Sequence, residues 1–316
     1  MVVRLAVLAA AVAFAVALVA ALVVDAEVVP RLPAGAPVDG VKIAAAGDIA
    51  CDPESSSFAR GRGRGSLCRQ TATSDLLVGA GYRAVLALGD LQYEDASHEK
   101  FLASYDPSWG RVKEITRPVP GNHEYRTPGA AGYYRYFGPA AGKPADGYYS
   151  FDLGTWHFIA LNSQCAAVGG CRERSPQETW LRADLAENPR RCTLAYWHHP
   201  RYSSGTHGSD RAYRPFFQAL YDAGADVVLV AHDHDYERFA PQDANGRRDL
   251  ELGIPQFVVG TGGRSLRRFP HIEPNSEVRD RSTFGVLELT LGAGAYAWRF
   301  RPAVGTFTDS GSARCH

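Results

Sequence analysis

Short apolar runs recur along the chain, and several break off at a polar cluster. Residues 41–46 run into Gly47-Asp48, and residues 84–88 into Gly89-Asp90-Leu91-Gln92-Tyr93. Pro118-Val119-Pro120 leads to Gly121-Asn122-His123-Glu124, residues 193–197 to His198-His199-Pro200, and residues 225–230 to His232-Asp233-His234. Apolar stretches of this length, closed by Gly or Pro, read as buried strands whose ends are exposed. Further strands are expected at 257–260, ending in Thr261-Gly262-Gly263, and in hairpins 148–153/156–161 and 284–291/295–300. Helices are expected at 72–79, 177–186 and 215–223, with a helical or irregular connector at 101–113. Residues 130–144, rich in Gly, Tyr and Pro, read as a loop over the strand ends, with Tyr133, Tyr134, Tyr136 and Phe137 forming its aromatic core. Helices alternate with strands and hairpins close both halves. The expected fold is α/β (α+β), a two-sheet β-sandwich flanked by helices, without a fixed-period repeat.

The N-terminus is organised differently. Arg4 precedes an apolar Ala/Val-rich run over 5–24, and Val24-Asp25-Ala26 is a small-residue cleavage candidate. The run also has the length to span a bilayer. Residues 1–26 are therefore read as a signal peptide or an uncleaved membrane anchor, 27–40 as a linker, and 41–316 as one domain. Either reading puts that domain outside the cytoplasm, secreted or anchored, and confines membrane contact to the N-terminal segment.

Composition narrows the partners. The 316 residues are 45% hydrophobic and 22% charged, ample for a large core. Lys+Arg and Asp+Glu both number 34, so no bulk charge draws the chain to nucleic acid or lipid. Six cysteines without a C-x-x-C pair argue for disulfides behind an export segment. Spacing leaves several pairings open; the one expected is Cys51–Cys68, Cys165–Cys171 and Cys192–Cys315. The loop after the first strand carries Arg60-Gly61-Arg62-Gly63-Arg64-Gly65, read as a solvated insertion tied down by Cys51 and Cys68 rather than as an anion site.

The strand ends collect Asp48, Asp90, Tyr93, Asn122, His198, His232 and His234, an oxygen and imidazole set suited to hard or borderline metal ions. The ordered series Asp48, GDLQY, GNHE, His198 and HDHDYER resembles the calcineurin-like metallophosphoesterase superfamily. It is most similar to the purple acid phosphatase branch, because Asp48-Ile49-Ala50 has no His and GDLQY offers Tyr93. The resemblance spans about 41–263 and implies two metal ions sharing Asp90. One takes Asp48, Asp90, Tyr93 and His234; the other takes Asp90, Asn122, His198 and His232. The phenolate implies Fe(3+) at the first site, with Fe, Zn or Mn at the second. Such a pair makes hydroxide available near neutral pH and clamps phosphoryl oxygens. The implied substrate is a phosphate ester and the implied activity acid phosphatase-type monoester hydrolysis. A phosphodiesterase or nucleotidase with the same site is the alternative, and a non-catalytic binding module a further one. By resemblance, His123 and His207 contact the phosphate or the leaving group. His199 is expected on the opposite face of the strand from His198, Glu124 and Asp235 are expected to orient histidines, and His98, His157 and His271 match no motif. Ala231 stands where the family has Gly, which matters only if that position needs a positive φ.

Overall fold

Side-chain alternation along the strands sets the layers. The computed structural model describes residues 38–189 and 192–316. The N-terminal signal or anchor segment and most of the linker lie outside these residues. The strands are β1 (Val41–Ala46), β2 (Ala84–Leu88), β3 (Thr116–Val119), β4 (Tyr149–Leu153), β5 (Trp156–Ala160), β6 (Cys192–Tyr196), β7 (Val227–Val230), β8 (Tyr236–Phe239), β9 (Gln256–Val259), β10 (Ser276–Asp280), β11 (Phe284–Leu291), β12 (Ala295–Val304) and β13 (Ser310–Arg314). The main helices are α1 (Gln70–Asp75), α2 (Ala131–Phe137), α3 (Pro176–Glu187) and α4 (Arg214–Asp222). One sheet runs β13-β12-β11-β1-β2-β3 and the other β10-β8-β9-β7-β6-β5-β4. On β5 and β6, Trp156, Phe158, Leu194 and Tyr196 join the core shared with the first sheet. Their neighbours Ile159, Ala195 and Trp197 face a second core with Leu181 and Leu185 of α3 and Phe216, Phe217 and Leu220 of α4. This is the expected two-sheet sandwich flanked by helices.

Topology explains why the polar clusters meet. β1, β2 and β3 are parallel neighbours in the first sheet, as are β6 and β7 in the second. Their carboxyl ends therefore open on one side of each sheet, where ligands gather in open α/β sheets. Beyond β1, Gly47 N donates to Val259 O at 2.9 Å, and Gly262 N donates to Gly47 O at 2.9 Å. These bonds stitch the two sheets together at that end. The Gly262 N–H is thus already used in the turn.

Several elements differ from expectation. α1 spans 70–75 rather than 72–79; backbone bonds from Cys68 N and Arg69 N to Arg264 O and Gly263 O fix its entry earlier in the chain. Residues 131–137 are helical, not a loop. Tyr136 stacks on Phe101 at 5.0 Å, Phe137 packs edge-on to Tyr105 at 5.6 Å, and the aromatic residues are buried in this cluster. β8, β10 and β13 were not expected. β10 and β13, at the sheet edges, carry few apolar residues and leave no alternation to read.

Candidate metal centre

Each strand end turns sharply. Asp48, Asp90 and His232 have φ of 58°, 49° and 69°, left-handed values that non-glycine residues adopt rarely. Gly89, with φ 83°, must lack a side chain: a Cβ there would lie 2.6 Å from His198 Nδ1. At Gly121 a Cβ would lie 2.3 Å from Asp90 Oδ1. The motif glycines thus let the ligand-bearing loops close on one another.

The two buried aspartates divide their oxygens. Asp48 Oδ2 accepts from His232 N at 2.9 Å, and Asp90 Oδ1 accepts from His123 N at 2.8 Å. Their other oxygens face the site. The Tyr93 hydroxyl lies 2.6 Å from Asp48 Oδ1, 3.0 Å from Asp90 Oδ2 and 3.1 Å from His234 Nε2. Asp90 Oδ2 lies 3.3 Å from His198 Nε2, which lies 3.2 Å from His232 Nδ1. Two donor groups therefore share Asp90 Oδ2. Metal–ligand bonds of about 2.0–2.2 Å place adjacent donors about 3 Å apart, the spacing found here.

Two observations test whether a cation fits. Asn122 Oδ1 is buried and has no hydrogen-bond partner, leaving an acceptor free for a ligand bond. Asp48 and Asp90 are buried, and no lysine or arginine pairs with them among the described residues. Burial would lift both carboxyls, yet His234 beside Asp48 and His198 beside Asp90 hold them below the usual range. Burial also opposes charge on His198, but Asp90 outweighs it and raises the imidazole to about 9. Burial and the Asp48 and Asp90 charges push the Tyr93 phenol well up, so its ionisation calls for a cation alongside. The donor set fits the group the resemblance implies.

Neighbouring groups fix the rings. His198 Nδ1 donates to Leu88 O at 2.8 Å, and His234 Nδ1 lies 2.7 Å from Ser265 Oγ. Both leave Nε2 toward the site, as ligating histidines require. His123 Nδ1 donates to Glu94 O at 2.5 Å, and its Nε2 is 3.8 Å from Asp90 Oδ2. The His207 ring is 4.2 Å from His232, but His207 is exposed and Arg267 Nη1 donates to its Nε2.

Three assignments are corrected. His199 does not face away from His198: the strand has ended at Tyr196, so alternation no longer applies. Its ring sits 4.2 Å from His232, its Nδ1 is 2.8 Å from Ser163 Oγ, and burial beside His198 drops it to about 3. Glu124 orients backbone, not a histidine. Its oxygens accept from Gly121 N at 2.7 Å, Leu91 N at 2.8 Å and Asp90 N at 2.9 Å, clamping the GNHE and GDLQY turns together. Burial, with the Asp90 charge, lifts its carboxyl to about 7. Asp235 orients no histidine; both its oxygens are buried without a partner. Asp233 does work that the sequence did not flag, accepting from Ser203 Oγ at 2.5 Å and His207 N at 2.8 Å. Ala231 is absent from the positive-φ residues, so its methyl meets no backbone penalty. His157 bridges Asp152 and Asp184, and His271 meets Glu273.

A model of the calcineurin-like phosphoesterase family matches residues 41–236. Purple acid phosphatase 15 of Arabidopsis thaliana is 29% identical over 66% of this chain and 41% of its own length. Purple acid phosphatase 18 of the same plant is 27% identical over 70% of this chain and 53% of its own. The chain thus spans about half the length of these relatives. A purple acid phosphatase from yellow lupin seeds has the same fold, with a TM-score of 0.71 at 18% identity, covering 88% of this chain and 54% of that one.

Proposed function

The chain belongs to the calcineurin-like phosphoesterase family, and from that premise we propose that it is an extracytoplasmic, dinuclear phosphomonoesterase of acid phosphatase type. The observation that carries the reading is Asp90 Oδ2 standing within 3.0 Å of Tyr93 Oη and 3.3 Å of His198 Nε2, one oxygen common to two donor groups. Asp48, Asp90, Tyr93 and His234 would hold Fe(3+); Asp90, Asn122, His198 and His232 would hold Fe, Zn or Mn. When bound, such a pair supplies Lewis acidity and an activated water. The chain's own part is placement. Asp48 and Asp90 fix the backbone of His232 and His123, and Leu88 O and Ser265 fix two imidazoles. His123, with Nδ1–H committed to Glu94 O, keeps Nε2 for a proton at the leaving oxygen. His207 has its Nε2 engaged by Arg267, so in this reading it meets substrate through ring and Nδ1.

The test compares an aryl phosphate monoester with the matching diester across pH, with and without chelator. Chelator-sensitive preference for the monoester is expected. Preference for the diester would reassign the enzyme to phosphodiesterases. Asn122→Ala should abolish turnover while leaving the circular dichroism unchanged; a variant as active as the parent would remove Asn122 from the site.

A further inference from the structure

We propose that Arg264, on the loop after β9, binds a phosphate oxygen of the substrate and sets the preference for dianionic monoesters over monoanionic diesters. The inference rests on the phosphoesterase reading above and goes on to the substrate's charge state. Backbone bonds fix the residue beside the donor cluster: Arg264 N donates to Asp48 O at 2.8 Å, and Cys68 N donates to Arg264 O at 3.2 Å. The guanidinium carbon lies 5.2 Å from the Tyr93 ring centroid. Its Nη2 donates to Glu94 Oε1 at 2.7 Å, and the same Glu94 supplies the carbonyl that holds His123. The side chain keeps 23% of its surface exposed, within reach of a solvent-borne ligand.

The guanidinium is under-used. Nε is buried without an acceptor and Nη2 is held by Glu94, so the guanidinium meets a ligand through Nη1. Glu94 does not cancel the charge, because Arg126 Nη1 also approaches it, at 3.4 Å, making two cations to one anion. With the Asp48 and Asp90 charges at Tyr93 balanced by bound metal, that excess over Glu94 suits an oxyanion. The planar guanidinium can keep Nη2 on Glu94 while Nη1 turns to an oxygen of a terminal phosphate. A monoester brings two negative charges and a diester one, so removing this cation weakens the monoester more.

The experiment measures kcat/KM for the aryl monoester and diester in the metal-loaded protein, the Arg264→Gln variant and the Arg264→Lys variant. It also measures inorganic phosphate binding by calorimetry. Arg264→Gln should lower monoester kcat/KM by about 10–100-fold, the size of a charged hydrogen bond, lower the diester value less, and weaken phosphate binding. Arg264→Lys, which keeps charge without the planar guanidinium, should fall between. Equal losses on both esters, or unchanged phosphate affinity, would overturn the proposal. If Arg264→Gln does not fold, the lysine variant decides: an unchanged monoester-to-diester ratio and phosphate affinity would refute it. If the parent protein turns over neither ester, the phosphoesterase reading fails, and calorimetry still decides whether Arg264 binds phosphate.

Discussion

Asp48, Asp90 and His232 keep left-handed backbone because their neighbours hold them there. Such φ values cost about 1–3 kcal/mol each, and buried contacts across the cluster offset that cost. Ala231, next to one of them, sits against Gly47, where an added Cβ would meet its methyl at 2.6 Å. Ala231→Gly should therefore lower stability by about 1–2 kcal/mol, from a lost methyl and a freer unfolded chain. Second-metal affinity should stay nearly constant; a large gain would show that alanine impairs the turn. The Ser265 hydroxyl meets His234 Nδ1 at 2.7 Å. Ser265→Ala should weaken metal binding by about 10–100-fold, read by competition with a chelator. The iron-loaded protein should show a visible tyrosinate charge-transfer band that Tyr93→Phe abolishes. A surviving band would identify another ligand.

Among the elements, α3 is tied to the sheet by an imidazole and by Ser150 Oγ of β4, which donates to Asp184 Oδ1 at 2.7 Å. His157 on β5 lies 2.8 Å from Asp152 Oδ1 on β4 and 2.8 Å from Asp184 Oδ2 on α3, with 2% of its side chain exposed. Burial opposes its charge, but Asp184 and Asp152 prevail and raise its pKa above 6.5. A histidine shifted upward on folding stabilises fully below its unfolded pKa and loses that contribution as pH rises through the folded one. Urea unfolding should show His157→Gln destabilised by about 1–3 kcal/mol below pH ~6.5, with a smaller difference in alkaline solution. A pH-independent difference would mean that the imidazole is not charged in the fold. α2 depends still more on its surroundings. Its sequence is mostly aromatic, a weak helix former by propensity, yet the stack on Phe101 and Tyr105 makes one.

For the whole molecule, three disulfides cross-link the chain, one of them between distant parts. Cys51–Cys68 closes the Arg/Gly loop, Cys165–Cys171 a short turn, and Cys192–Cys315 spans 123 residues to hold β6 to the C-terminal tail. The pairing is the one expected. Denatured, unreduced protein should titrate no free thiol. The double variant Cys192→Ser/Cys315→Ser should lose about 2–5 kcal/mol, measured by denaturant melts. The strands that carry Asp48, Asp90, His198 and His232 were legible because they are central and buried, so almost every side chain in them is apolar. Asn122 was legible through its GNHE motif, which follows the short apolar run at the end of β3. The edge strands β10 and β13 were not, because a half-exposed edge imposes no such pattern. The kinds of donor, their order along the chain and their delivery from strand ends are local properties, set by residue type and periodicity. Which oxygen of Asp90 is shared, where His199 lies, what Glu124 clamps and that Arg264 stands beside Tyr93 are contacts between segments far apart in sequence. No local pattern encodes such contacts; they exist only once the two sheets have packed and the loops have closed over glycines 89 and 121.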